Sequence, residues 1–185
     1  MITTKKLNDI PVVIILGAGK PYREELPSGV YSTPDHRHLI DCLIEAFKEQ
    51  DPEFHFVAGY RSEEIIKQHP ELSFSFNMNW ETTGSLGSLF AVHFDPNRTY
   101  FICYSDIIFP QKVVEKVAQN KEDVVVAIDR KWKDRYERRS LLDIEQAEKV
   151  IFDANNNVIE IGKIITKKHD VHGEFIGMMK LTHRG

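Results

Sequence analysis

The chain has 185 residues, a formal net charge of −4 and a pI near 6.1, so no global field draws it to DNA or RNA and any phosphate chemistry rests on local cations. Hydrophobic residues make up 42% and charged ones 28%, the balance of an ordinary soluble globular chain folded as one domain over residues 1–185. No run approaches the roughly eighteen apolar residues of a membrane span, and the N-terminus MITTKKLNDIPVVIIL lacks the h-region and small-residue cleavage site of a leader.

The two cysteines, Cys42 and Cys103, fall in apolar periodic segments and read as small buried hydrophobes, which suits a reducing cytoplasm. Val12 to Leu16 is a β-branched run between Pro11 and Gly17, the mark of a strand buried on both faces. Helical spacing of Leu39, Ile40, Leu43, Ile44 and Phe47 predicts a helix, with Asp35 as its N-cap. Phe54 to Ala58 is a second strand, and Ser62 caps a short helix that Pro70 stops. Leu72 to Met78 alternates as a strand, Ser85 to His93 reads as a helix, and Thr99 to Tyr104 is a strand ending at Ser105-Asp106. Pro110 opens a helix over Gln111 to Gln119, and Val124 to Ile128 is a further buried strand. Beyond Arg139 the pattern changes to a hairpin, Lys149 to Asp153 and Val158 to Ile161 around three asparagines, followed by a strand over Glu174 to Leu181.

Alternating strands and helices predict an α/β fold: three layers, Rossmann-like, a mixed but mostly parallel sheet with helices on both faces. In such sheets ligands bind beyond the carboxyl ends of the strands. That rim gathers the Gly17 loop, Gly59-Tyr60-Arg61, Ser105-Asp106 and Asp129-Arg130. The Gly17 loop fails two familiar motifs. A dinucleotide fingerprint needs a glycine where Tyr22 stands, and a P-loop needs glycine at Ile14 and Ser or Thr at Pro21. What remains is a strand, two glycines that let backbone N–H groups approach an anion, and the charges of Lys20 and Arg23. A tight turn with solvated cations is the other reading of the same residues.

The stretch "IILGAGKPYR" resembles the L-A-A-G-x-G-x-R motif of sugar-phosphate and phosphocholine nucleotidyltransferases of GT-A-like fold. "NMNWETTGSLGSL" (Asn77 to Leu89) resembles that family's Asn-rich strand and Gly-Ser helix start, and "YFICYSD" its metal-aspartate strand. "DRKWKDRYERR", with "EQAEKV" after it, is similar to a region of cytidylyltransferase-like members. The resemblance implies that Leu16, Gly17, Ala18 and Gly19 wrap the nucleotide and that Lys20 or Arg23 neutralises its triphosphate. It also implies that Gly84, Ser85 and Ser88 lie near the base and ribose, and that Asp106 binds Mg2+. The implied activity moves a nucleoside monophosphate from an NTP, CTP by preference, to a small phosphorylated or phosphonylated acceptor: phosphocholine, 2-aminoethylphosphonate or a sugar 1-phosphate. Two departures stand out. Ser28 occupies the place of the family's phosphate-binding lysine, and a second metal-binding aspartate on a late strand is not met before Gly185, as in a chain shorter than its family.

That chemistry suits the residues present. The attacking oxygen is already anionic, so alignment and charge neutralisation suffice and no general base is needed. Magnesium held by one or two carboxylates bridges phosphate oxygens. The run Asp129 to Arg139 holds six cations among three acids, with Trp132 and Tyr136 one helical turn apart. It reads either as a solvated helix with ion pairs or as a lid in which Arg135 or Arg139 grips the acceptor phosphate. Trp80, Trp132 and Tyr136 offer a cage for a choline-like cation, and Glu174 begins a strand on the acceptor side. The histidine pairs His36/His38 and His169/His172 lack zinc-site partners at the usual spacing and read as surface residues. The alternatives are a non-catalytic nucleotide-binding module or truncated transferase, favoured by Ser28, and third a GT-A glycosyltransferase, whose D-x-D is met only by Asp106. The base, acceptor and oligomeric state stay open.

Overall fold

A computed structural model describes residues 10–21, 25–165 and 171–185. The chain divides into two compact units: Met1–Val125 with Met179–Gly185, and Val126–Met178.

The first unit is built on four parallel strands: β1 (Val12–Leu16), β2 (Glu53–Ala58), β3 (Ser73–Phe76) and β4 (Tyr100–Tyr104). Their order is β3-β2-β1-β4, with Leu16 in register with Val57 on one side and Tyr104 on the other. Parallel pairing with cover on both faces explains the unbroken apolar run of β1, since Val13, Ile14 and Ile15 are fully buried. Burying such a side chain contributes about 1.5–3 kcal/mol. On one face Val12 and Ile14 pack with Tyr100, Ile102 and Val57 beneath Leu89 and Phe94. On the other face lie α1 (Leu39–Phe47) and α4 (Gln111–Gln119), packed side by side, and Phe47 meets Phe101 edge-on at 5.4 Å. Both cysteines are buried and free, and burial pushes the Cys103 thiol up to about 12.

Several boundaries differ from the sequence reading. The N-cap of α1 is His38, whose N–H donates to the Asp41 carboxylate at 3.2 Å. Asp35 is instead held by Thr33 and Arg37 in the preceding turn, and the helix starts only at Leu39, three residues too late for Asp35 to stand at its cap. Arg61, not Ser62, caps α2 (Ser62–Gln68), in the left-handed conformation with φ 45°. The third helix, α3, stops at Leu89 (Ser85–Leu89). Two serines and a glycine in five positions are weak helix formers, and Pro96 disfavours the helical conformation at Asp95.

The second unit holds β6 (Lys149–Phe152) and β7 (Val158–Gly162), an antiparallel hairpin with a bulge after Ile151. Asn156 takes φ 66° in its turn, and the Asp153 carboxylate accepts from the N–H groups of Asn155 and Asn157. On the other side β6 pairs antiparallel with β8 (Gly173–Leu181) through Lys149–Glu174 and Val150–Gly173. The charged run is a short 3-10 helix over Trp132–Tyr136, followed by α5 (Leu141–Gln146), which Ser140 and Asp143 cap reciprocally. Neither was separated in the sequence. With β5 (Val124–Asp129) the strands number eight, and the class is α/β with a mixed, mostly parallel arrangement, as expected.

Candidate nucleotide site

The connection β1-β2-β3 runs outward on one side of β1, and β4 returns on the other side. The carboxyl ends of β1 and β4 therefore form a topological switch point, where a crevice opens between the loops. Two hydrogen bonds set those loops side by side: Gly17 N–H donates to the Val57 carbonyl and Ser105 N–H to the Leu16 carbonyl, each at 3.1 Å. Gly17 is glycine for a steric reason, since a Cβ there would lie 2.2 Å from Phe56 Cζ. Gly19 has open space around it.

Between the loops lies a cavity of about 220 Å³ lined by Leu16, Gly17, Gly19, Lys20, Pro21, Ser28, Tyr104, Ser105 and Asp106. The expected residues Leu16, Gly17, Gly19, Lys20 and Asp106 thus share one crevice. Lys20 is its one cation and Asp106 its one carboxylate among the described lining residues, and both are exposed. No hydrogen bond or ion pair among the described residues occupies the Asp106 carboxylate, while Lys20 Nζ lies 5.6 Å from the Tyr60 ring centroid. The Ala18 side chain is 2% exposed and packs into the core, and its carbonyl accepts from Tyr60 N–H at 2.8 Å, so any contact it makes with a nucleotide is through its backbone. Arg23 lies outside the described residues.

Ser28 stands in the cavity wall where the resemblance calls for lysine. Its hydroxyl is 2.6 Å from that of Ser105, a tie between the β1 and β4 loops that no local motif announces. Tyr60 and Arg61 lie near the rim but are spent on the Glu25 carbonyl, which accepts from the Tyr60 hydroxyl at 3.0 Å and from Arg61 at 2.9 Å. Arg61 also pairs with Glu64. These contacts hold the far end of the Gly17 loop, and they account for a non-glycine residue at positive φ.

Gly84 and Ser85 are exposed at the start of α3. Ser88 is not: it is 6% exposed, and its hydroxyl accepts from Asn77 Nδ2 at 3.1 Å. Asn77 also donates to Thr83 Oγ1 at 2.8 Å and accepts from Asn79 N–H at 3.0 Å, and its own N–H donates to the Ala58 carbonyl. Buried and fully engaged, it ties the end of β2 to the start of α3, a role the sequence reading missed.

In the second unit Arg135, Tyr136 and Glu174 form one network. Tyr136 donates its hydroxyl to Glu174 Oε1 at 2.5 Å, and Arg135 reaches both Glu174 at 3.0 Å and Asp129 at 2.9 Å. Burial and the Glu174 carboxylate push the Tyr136 hydroxyl up to about 12. The Arg139 guanidinium lies 5.0 Å from the Tyr136 ring centroid. Trp132 is 4% exposed and meets Tyr136 edge-on, while Trp80 packs on Tyr60 in the first unit. Trp132 also lines a cavity of about 570 Å³ with Lys133, Ile144 and Lys149, and Lys133 Nζ lies 5.8 Å from its ring centroid. Of the histidines, His172 packs on Phe152 and accepts its N–H, and His169 lies outside the described residues.

No protein-family model matches the chain. Its sequence is 24% identical over 186 aligned positions to the CTP:phosphoglutamine cytidylyltransferase of Campylobacter jejuni, covering 92% of this chain and 73% of that one. Its fold is similar to the CTP:phosphocholine cytidylyltransferase of Streptococcus pneumoniae, at TM-score 0.61 and 16% identity, over 94% of this chain and 71% of that one. It is also similar to 4-diphosphocytidyl-2C-methyl-D-erythritol synthase from Anaerococcus prevotii, at TM-score 0.56 and 14% identity, over 96% and 71%. Among the described residues no helix is long and apolar enough to cross a membrane. The chain therefore carries the fold of the GT-A-like nucleotidyltransferases and resembles, over nearly all its length, a cytidylyltransferase of that family.

Proposed function

We propose that this protein transfers CMP from CTP to a small phosphorylated or phosphonylated acceptor and releases pyrophosphate. The observation that carries the reading is the switch-point crevice, in which the glycine turn, Lys20 and the exposed Asp106 face one cavity. CTP is preferred because the sequence relative and two of the structural neighbours are named for cytidyl chemistry.

In the reaction an acceptor phosphoryl or phosphonyl oxygen, already anionic, bonds to the α-phosphorus of CTP. The bond from that phosphorus to the bridging oxygen breaks, and its electrons leave with pyrophosphate. Lys20 and the turn's backbone N–H groups neutralise and align the triphosphate. Asp106 fits a hard cation, since it is an exposed carboxylate among hydroxyl oxygens of Ser28 and Ser105, and one carboxylate plus phosphates is a common Mg2+ set. Bound there, Mg2+ would screen the phosphate charge. The acceptor is assigned to the Arg135, Tyr136, Arg139 and Glu174 group, where cations and carboxylates alternate. That mixture suits an acceptor bearing an ammonium as well as a phosphoryl group, as in phosphocholine or 2-aminoethylphosphonate.

The test is pyrophosphate release with each NTP and a panel of phosphocholine, 2-aminoethylphosphonate, sugar 1-phosphates and phosphoglutamine, with and without Mg2+. The expected result is release with CTP and one acceptor, falling at least about a hundredfold in Asp106→Ala and Lys20→Ala, as for loss of a charge that aligns phosphates. CTP binding without release from any acceptor would select the non-catalytic module that Ser28 favours, and a folded protein that binds no CTP would end the reading.

A further inference from the structure

Away from the crevice, the first unit brings together two histidines and an aspartate distant in sequence. His38 caps the start of α1, Asp41 stands one turn into that helix, and His69 caps the end of α2. One ligand atom from each lies within 4.8 Å of the others. His38 Nδ1 and His69 Nδ1 are each 3.9 Å from an Asp41 carboxylate oxygen, and Glu71 reaches His69 Nδ1 at 3.4 Å.

His69 is only 6% exposed, and the ring nitrogen that it turns toward Asp41 and Glu71 is Nδ1, so a buried imidazole faces two part-exposed carboxylates. The two rings stand edge-on at 5.9 Å, close enough for one ion to meet both without stacking.

We propose that His38, Asp41 and His69, with Glu71 as a fourth donor, form a site for a zinc-class divalent ion that clasps the start of α1 to the end of α2. Two imidazoles and carboxylates are the donor set of zinc and its neighbours, whereas Mg2+ and Ca2+ take oxygen alone. A tetrahedral ion with bonds near 2.0–2.1 Å sets its ligands about 3.3 Å apart. The 3.4 Å pair already meets that, and the 3.9 Å pairs close through small side-chain rotations. Asp41 and Glu71 are 44% and 62% exposed, which provides the entry path. The site owes nothing to the transfer reaction, and its test reads binding and melting only.

The experiment uses the full chain without a histidine tag, stripped with chelator and dialysed. Zn2+ and Co2+ are titrated separately and followed by calorimetry, thermal melting and the visible absorption of bound Co2+, with Mg2+ as contrast. The expected result is one equivalent of Zn2+ bound, a rise in Tm reversed by chelator, a Co2+ ligand-field band, and no rise with Mg2+. His38→Gln, Asp41→Asn and His69→Gln should each weaken Zn2+ at least tenfold. His38 is part-exposed, so its variant stays informative if His69→Gln fails to fold. No Tm rise at one equivalent, or unchanged Zn2+ affinity in His38→Gln, would overturn the site and leave the cluster as a set of histidine–carboxylate ion pairs.

Discussion

The two glycines of the turn are expected to fail in opposite ways. In Gly17→Ala the new methyl would lie 2.2 Å from Phe56 Cζ and 2.8 Å from Cε1. Carbon atoms settle near 3.5–4.0 Å, so ring or turn must yield by about 1.3 Å. Phe56 is fully buried, with Phe74 at 6.2 Å between centroids, and a methyl placed on Gly29 would already lie 3.5 Å from the same ring, so it has little room. Overpacking of this kind costs about 1–3 kcal/mol, which in a chain of this size lowers Tm by roughly 2–12 °C. In Gly19→Ala nothing lies within 4 Å of the new methyl, and Gly19 is not among the residues at positive φ. That change should leave stability unchanged or raise it by about 0.4–1 kcal/mol, while CTP binding weakens because the methyl stands in the cavity lining. Thermal and urea unfolding measure the first effect and calorimetric titration of CTP the second. Phe56→Leu in the Gly17→Ala background should recover part of the loss, a coupling that independent sites do not show. The reasoning is refuted if Gly17→Ala melts with the parent protein, or if Gly19→Ala loses as much stability as Gly17→Ala.

Asn77→Ala strips Thr83, Ser88 and the Asn79 N–H of a shared buried partner, so it should destabilise by about 2–3 kcal/mol and raise KM for CTP more than it lowers kcat. Equal stability in urea would show that water replaces the side chain. Tyr136→Phe should raise KM for the acceptor and leave CTP binding unchanged. The folded pKa of Tyr136, about 12, stands above its ordinary value of 10.0, so the fold favours the neutral phenol. Its contribution is complete below about pH 10 and is lost as pH rises toward 12. Melting temperature followed across that window should fall less steeply in Tyr136→Phe, and identical slopes would refute the assignment.

What could be read from the sequence was what depends on neighbours along the chain. The β-branched run of β1 and the Pro110 start of α4 each carry their own signal, and both elements have the bounds expected. That Lys20 and Asp106 line one crevice could be foreseen because each lies in the loop after a strand whose end the topology sends there. What escaped depends on contacts between distant residues. Asp35 has the chemistry of a cap, but Thr33 and Arg37 hold it in the turn before the helix, which starts only at Leu39. Ser28 reads as a missing lysine until Ser105, 77 positions away, is found against it. Ser88 fits a nucleotide contact by motif, yet Asn77, 11 positions back, holds it in the interior.

The same reasoning separates the two charged groups that the sequence made look alike. Lys20 and Asp106 stand exposed with no ion pair between them among the described residues, so water solvates both charges. Arg135 and Glu174 are already paired, and Asp129 competes for the same guanidinium. An anion that takes over the Arg135 Nη2 donor displaces a carboxylate, whereas one arriving at Lys20 meets no paired carboxylate among the described residues. Phosphate affinity should accordingly be dominated by the crevice in the first unit, and the network in the second should discriminate among acceptors through what else they carry. An acceptor with an ammonium group offers the displaced carboxylate a new partner, and one without it leaves that charge unpaired. Selection against acceptors that lack an ammonium would then come from the cost of breaking a pair that already exists, not from any added attraction.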